Sequence, residues 1–156
     1  CVALPKLPSL VVGLEVEAIA HATEDLERVT KAVMNVLPAQ ARGRVKVKVK
    51  EFKGHYGNPI RLLRIRIRDR GLASDILRHV LASLPELERL ELIASLELRI
   101  SKGSLFIRLD KQRAFLGQVR LCEVDPIWMR APLASSNVED VRKALEEVAK
   151  GLESVL

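Results

Sequence analysis

Long apolar runs are missing from this chain. No stretch approaches the roughly 20 residues that cross a bilayer, so no membrane-spanning helix and no membrane partner are expected. The N-terminus lacks a charged segment followed by an apolar one, which argues against a signal peptide. Residue 1 is Cys, not Met. That points to a trimmed start, and residues 1–9 are read as a tail. Cysteine is scarce: Cys1 falls on that tail and Cys122 in an expected strand. Two such residues make no disulfide framework, and the expected setting is a reducing cytoplasm. No Cys/His pair has zinc-ligand spacing, so neither metal nor cofactor is expected. Only 8 glycines and 7 prolines interrupt a chain in which 29% of residues are charged and 48% hydrophobic, a globular rather than a disordered composition.

What is present fits one domain. A chain of 156 residues can bury a core without cross-links, and residues 10–156 are assigned to a single α+β unit. The formal net charge is +6, which favours an acidic partner: nucleic acid, an anionic surface or an acidic protein. Apolar and acidic residues alternate at Leu14, Glu15, Val16, Glu17 and Ala18, predicting a half-buried strand within 10–20. Thr23 reads as the N-cap of a helix that carries Leu26, Val29 and Val33 on one face and stops at Pro38. Strands are predicted over 44–52 and 61–70, and a helix through Leu72, Ile76, Val80 and Leu84. A short helical turn follows Pro85. Leu96, Leu98 and Ile100 alternate as a fourth strand, and Lys102-Gly103 turns into a fifth, Leu105 to Leu109. Asp110 to Gly117 reads as a loop or one helical turn, and a last strand lies around Ile127 to Arg130. Ser136 and Glu139 form a capping box for a final helix. The order β-α-β-β-α-β-β-β-α implies a largely antiparallel sheet, covered by helices on one face and partly open on the other.

Charge concentrates on the second and third strands. Val45, Val47 and Val49 fall on one face, and Lys46, Lys48 and Lys50 on the other. Leu63, Ile65 and Ile67 likewise oppose Arg64, Arg66, Arg68 and Arg70. If the strands pair, these cations project from one side of one hairpin, and like charges facing across strands destabilise a sheet. Either an acidic neighbour offsets the repulsion, with Glu15 and Glu17 as candidates, or a polyanion does. The parity reverses near the loop, so Glu51 and Arg61 are expected close together. Five aromatics, Phe52, Tyr56, Phe106, Phe115 and Trp128, are too few for a sheet that stacks bases as RNA-recognition motifs do. Phe106 and Trp128 are assigned to the core. Tyr56, with Phe52, is the candidate stacker. Recognition by shape and phosphate, on structured or duplex RNA, fits this pattern better than reading of single strands.

The connecting loop runs from Lys53 to Ile60 and carries His55, Tyr56 and Asn58 between Gly54, Gly57 and Pro59. Its backbone N–H groups and side chains suit a phosphate or a base edge. Turn chemistry at Asn58-Pro59, with Tyr56 as a lid on the core, explains the same residues. The strings GHYGNPI at 54–60, AHATED at 20–25 and LDKQRAFLG at 109–117 resemble an archaeal RNA-binding family described as predicted exosome subunits. The resemblance implies a fold like that of the ribosomal protein that binds 5S ribosomal RNA. It also implies RNA as the partner, with proteins of an RNA-processing complex as further partners. It carries over Gly54, His55, Tyr56, Gly57, Asn58 and Pro59, then Asp110, Lys111 and Gln112, without saying which touch RNA.

Catalysis is not expected. Asp69, Asp110 and Asp125 are scattered over different segments, where a two-metal nuclease needs clustered carboxylates. His21 and His79 read as structural residues, and acyl-transfer, Walker and dinucleotide motifs are absent. The expected interface is Lys46, Lys48, Lys50, Lys53, Arg64, Arg66 and Arg68 for the RNA backbone. His55, Tyr56 and Asn58 act at the loop, and Lys111 and Arg113 extend the patch, with Lys102 and Arg108, if the later hairpin lies alongside. The competing expectation is an assembly module that docks on an acidic protein through the same surface.

Overall fold

Alternation along Leu14–Ala20 (β1) divides this strand cleanly: Leu14, Val16, Ala18 and Ala20 are buried, while Glu15, Glu17 and Ile19 face the other way. The computed structural model describes residues 7–135 and 137–153. In it β1 sits inside a six-stranded antiparallel sheet with Lys48–Lys53 (β2), Pro59–Ile67 (β3), Ile100–Ser101 (β4), Ser104–Leu109 (β5) and Ile127–Pro132 (β6). The spatial order is β2-β3-β1-β6-β5-β4, so β2 is an edge strand.

Helices cover one face. Leu26–Asn35 (α2) packs on β1, Arg70–Ser83 (α4) on β3, and Leu96–Arg99 (α6) on β5. Leu7–Leu10 (α1), Ala39–Arg42 (α3), Glu86–Ala94 (α5), Lys111–Phe115 (α7) and Val138–Glu153 (α8) complete the set among the described residues. Val16, Leu63, Ile65, Ile107 and Met129 of the sheet meet Val33, Ile76, Val80, Leu92 and Leu145 of the helices in one core. Each such aliphatic side chain contributes roughly 1.5–3 kcal/mol when fully buried. Leu7 and Leu10 of α1 belong to the core as well, so order begins inside the segment read as a tail.

The α+β class and the antiparallel sheet with one covered face follow the expectation; six strands and the three longest helices follow one another as expected, with shorter helices added before and between them. The strand expected at 96–100 is the helix α6, leaving only two strand residues. Leu96 is fully buried and Leu98 is 88% exposed, so their alternation never separated two faces. Leu, Glu and Arg are good helix formers, and three apolar positions are too few to fix a period. The first long helix starts later than Thr23: Asp25 is the N-cap and accepts from Glu27 N at 3.0 Å. Asp69 caps α4 and Asp110 caps α7 in the same manner, through Leu72 N and Arg113 N. The final helix is entered through Asn137, whose Oδ1 accepts from Glu139 N at 2.9 Å; Ser136 lies outside the described residues. The Lys102-Gly103 turn has positive φ at both positions, 51° and 78°, the geometry of a two-residue hairpin turn.

Candidate nucleic-acid interface

Register turns the open face into rows. One row crosses Phe106, Arg130, Glu15 and Arg66, and the next crosses Arg108, Trp128, Glu17, Arg64 and Lys48. Arg64 Nε donates to Glu17 Oε1 at 2.8 Å, and Arg66 Nε lies 3.2 Å from Glu15 Oε1. Arg130 holds Glu15 as well, with Nη2 at 3.0 Å, and donates from Nη1 to Ser104 Oγ at 3.1 Å. Partial burial would raise the Glu15 carboxyl, but the hydrogen bond and charge of Arg130, helped by Arg66 and Arg64, hold it below the ordinary glutamate range. The acidic strand is thus what offsets the arginine row.

The lysines are different. The described residues place no carboxylate within 4 Å of Lys46, Lys48, Lys50, Lys53 or Arg68, and all five are exposed. Lys48, Lys50 and Lys53 lie on the edge strand β2, and Lys50 Nζ stands 5.2 Å from the centre of the half-exposed Phe52 ring. The hairpin is shorter than expected. Lys46 precedes β2, Arg68 follows β3, and Arg70 begins α4, so the proposed single row of cations does not form. The register itself is as expected: Glu51 and Arg61 are direct cross-strand partners. Their side chains do not pair, because Arg61 Nη2 turns to the Glu24 carbonyl at 3.4 Å.

The hairpin tip is built on glycine. Gly57 has φ 79°, and its N–H donates to Gly54 O at 2.9 Å. Gly54 N donates to Asn58 O at 2.6 Å, and a Cβ at Gly54 would lie 2.9 Å from Ile60 Cδ1. Tyr56 is 86% exposed and meets His55 edge-on with ring centres 5.0 Å apart, so it is not a lid on the core. Asn58 is exposed beside them.

Lys111, expected on the RNA-facing surface, is only 5% exposed. Its Nζ donates to Ile19 O at 2.8 Å, Glu24 Oε1 at 2.9 Å and Asp125 Oδ2 at 2.8 Å, which uses all three ammonium protons. Lys111 is therefore a strut and not part of a phosphate patch. His21 Nε2 lies 3.0 Å from Asp125 Oδ1, and Asp125 itself holds φ 45°, a left-handed conformation seldom adopted by residues other than glycine. Burial would raise the Asp125 carboxyl; hydrogen bonds and charge from Lys111 and His21 outweigh it and lower it below the aspartate range. His21, Glu24 and Asp125 bring three ligand-type atoms within 4.8 Å of one another. Linear spacing did not reveal this grouping, and the Lys111 ammonium already supplies the positive charge between Glu24 and Asp125. His79, in α4, is lowered from its ordinary value by burial and by the nearby Arg42.

Segments 20–25 and 109–117 meet at one end of the sheet, where Glu24 holds Lys111 through its carboxylate and accepts through its carbonyl from Arg61, the residue after the 54–60 segment. The profile of a protein family described as RNA binding matches residues 13–132. The chain belongs to this family. It is 30% identical over 144 residues to the RNA-binding protein PAB1135 of Pyrococcus abyssi, covering 89% of this chain and 94% of that one. Among solved structures it is similar to AF2318 of Archaeglobus fulgidus, with TM-score 0.72, 33% identity, and 91% and 99% of the two chains covered. It is also similar to Mth689 of Methanothermobacter thermautotrophicus, with TM-score 0.64, 27% identity, and 92% and 98% covered. The RNA-binding family implied by the three strings is the family found.

Within this family's fold, the later hairpin does not lie alongside the basic one. The β4–β5 pair is at the opposite side of the sheet, separated by β6, β1 and β3, so Lys102 is remote from the lysine edge. Arg108 shares a row with Arg64 but is paired with Glu123 at 2.6 Å. Arg113 sits on α7, packed against α2, and its Nη1 donates to Gln118 Oε1 at 3.2 Å. Sequence reasoning also missed the open-face positions of Phe106 and Trp128, which are half-buried there instead of sealed in the core. Their parity with Arg108 and Arg130, opposite Ile107 and Met129, was the available signal.

Proposed function

We propose that the chain is a non-catalytic RNA-binding protein, a cytoplasmic accessory factor in RNA processing or degradation of the exosome-associated kind, that grips structured RNA along the β2–β3 edge. The observation that carries this reading is the split of charge: Arg64 and Arg66 are matched by glutamates, whereas Lys46, Lys48, Lys50, Lys53 and Arg68 have no carboxylate within 4 Å among the described residues. A cluster of unmatched cations on and beside an exposed edge strand suits phosphate oxygens and releases counterions when it meets them. Edge lysines also protect a sheet from pairing with another chain, so their presence alone is not decisive; membership of an RNA-binding family weights the reading toward RNA. His55, Tyr56 and Asn58 extend the grip at the hairpin tip. Arg64 and Arg66 contribute the N–H donors that Glu17 and Glu15 leave free. No helix among the described residues is long and apolar enough to cross a membrane.

The test is binding of a stem-loop RNA over a range of salt, for the parent and for Lys48→Ala/Lys50→Ala/Lys53→Ala. These side chains are exposed, so the variant is expected to fold. The expected result is a steep salt slope for the parent and a lower affinity with a shallower slope for the variant. Binding no better than that of an unrelated basic protein, or equal slopes, would sink this reading. Docking on an acidic protein through the same edge would then become the explanation to pursue.

A further inference from the structure

The open face of the sheet has an apolar floor that a solvated surface does not need. Phe106, Trp128, Ile19 and Leu62 line an open depression of about 330 Å³, bordered by Glu15, Glu17 and Arg130. Phe106 pairs with Arg130 and Trp128 with Arg108, so the two aromatics are diagonal neighbours on adjacent strands. Both lie on the face opposite Ile107 and Met129, and Phe106 also borders Glu91 of α5 and Leu98 and Arg99 of α6 on its far side. The flanking carboxylates do not make this floor repel an anion: Glu15 is held by Arg66 and Arg130, and Glu17 by Arg64.

We propose that this depression is a stacking platform for one or two unpaired nucleotides, with Trp128 and Phe106 receiving the base faces. The inference rests on the RNA-binding reading and adds unpaired bases to it. A base offers a π face, which stacks on indole or phenyl, and an edge of N–H donors, which suits a carboxylate. Both kinds of group are present: the aromatics form the floor, while Glu15 and Glu17 use only part of their acceptor capacity on arginine. Arg64 lies between the floor and Lys48 in one row of the sheet, and Leu62 of the floor is the direct neighbour of Lys50. A strand whose bases lie on Trp128 therefore has the unmatched Lys48 and Lys50 of the edge strand for its phosphates. The ligand is an RNA with a loop, bulge or single-stranded end next to its paired region, not an uninterrupted duplex. The scarcity of aromatics in the sequence hid this, since two suffice when the register places them side by side.

Trp128 is the one tryptophan of the chain, so its fluorescence reports on the platform alone. The intact protein is titrated with three probes of equal length: a mixed-sequence single-stranded RNA, the same backbone made abasic, and a blunt duplex. The expected result is quenching of Trp128 by the single strand, with affinity roughly tenfold or more above that of the abasic backbone. Phe106→Ala and Trp128→Ala lose that base-dependent gain and keep the abasic affinity, and Trp128→Phe retains most of it. Equal binding of intact and abasic strands, or quenching by the duplex as strong as by the single strand, overturns the platform while leaving phosphate binding in place. Failure of all three probes to bind overturns the RNA-binding reading, and the platform with it. The comparison of probes on the parent protein needs no variant, so a folding defect in Trp128→Ala does not remove the test.

Discussion

The ammonium of Lys111 donates to Glu24 Oε1 at 2.9 Å and thereby ties α7 to the turn that follows β1. The same nitrogen holds Asp125 and the carbonyl of Ile19, so one side chain closes three segments over the end of the sheet. Replacing it with Met keeps the bulk of the stem but leaves two carboxylates facing each other without their cation. Both are partly exposed, so the cost falls near the lower end for broken charge pairs, about 2–3 kcal/mol. Thermal unfolding of Lys111→Met is expected several degrees below the parent. Its RNA-binding salt slope is expected to match the parent's, and a clearly shallower slope would return Lys111 to the phosphate surface.

Acid should attack the same links. The Asp125 and Glu15 carboxyls are both held below their ordinary values in the folded chain. A depressed folded-state value means that the unfolded chain binds these protons more readily. The stabilisation is complete above the unfolded value, near pH 4, and is lost as pH falls through the folded values. The melting temperature measured from pH 6 to pH 2 should therefore fall most below about pH 4. Asp125→Asn should flatten part of that fall; an unchanged profile would show that Asp125 contributes none of it.

Some of this architecture is written in periodicity. The alternation at Leu14 to Ala18 predicts a strand with its glutamates outward, and the arginines at 64 and 66 predict the facing row, which meets those glutamates in direct register. Local pattern failed where a side chain's role depends on a distant segment. Nothing near Lys111 in the sequence shows that Glu24 and Asp125 will surround it, so a lysine in a polar stretch looked like surface. Phe106 and Trp128 alternate with buried neighbours, and their hydrophobicity suggested the core. Which face the helices would take was legible only for strands with charged partners, and Arg108 and Arg130 carried that information. Leu98 misled in the opposite direction, since an exposed leucine on a helix imitates one side of a strand.

The hairpin tip offers a separate test of backbone control. Gly57 stands at φ 79° with nothing within 4 Å of where a Cβ would be, so a substitution there meets conformational cost without a clash. Gly57→Ala should lower stability by about 1–2 kcal/mol and Gly57→Asn by less, because asparagine tolerates the left-handed region. Urea unfolding of the two variants measures the difference. Equal losses would mean that the turn re-forms with a different backbone.

Charge matching makes the arginines and the lysines of the hairpin unequal toward RNA. Arg64 already faces Glu17 at 2.8 Å, so the pair together carries no net charge and releases few counterions from a bound phosphate. Removing both, in Arg64→Ala/Glu17→Ala, should leave the salt slope of stem-loop binding close to the parent's. Removing Lys48, Lys50 and Lys53 should lower it by roughly 2–3, at about 0.9 for each phosphate contact on a duplex and less on a single strand. Arg64→Ala alone should weaken binding more than the double variant, because it leaves the Glu17 carboxylate uncovered beside the path of the RNA. If the double variant binds as weakly as the single one, the guanidinium of Arg64 touches phosphate directly and the glutamate serves only to aim it.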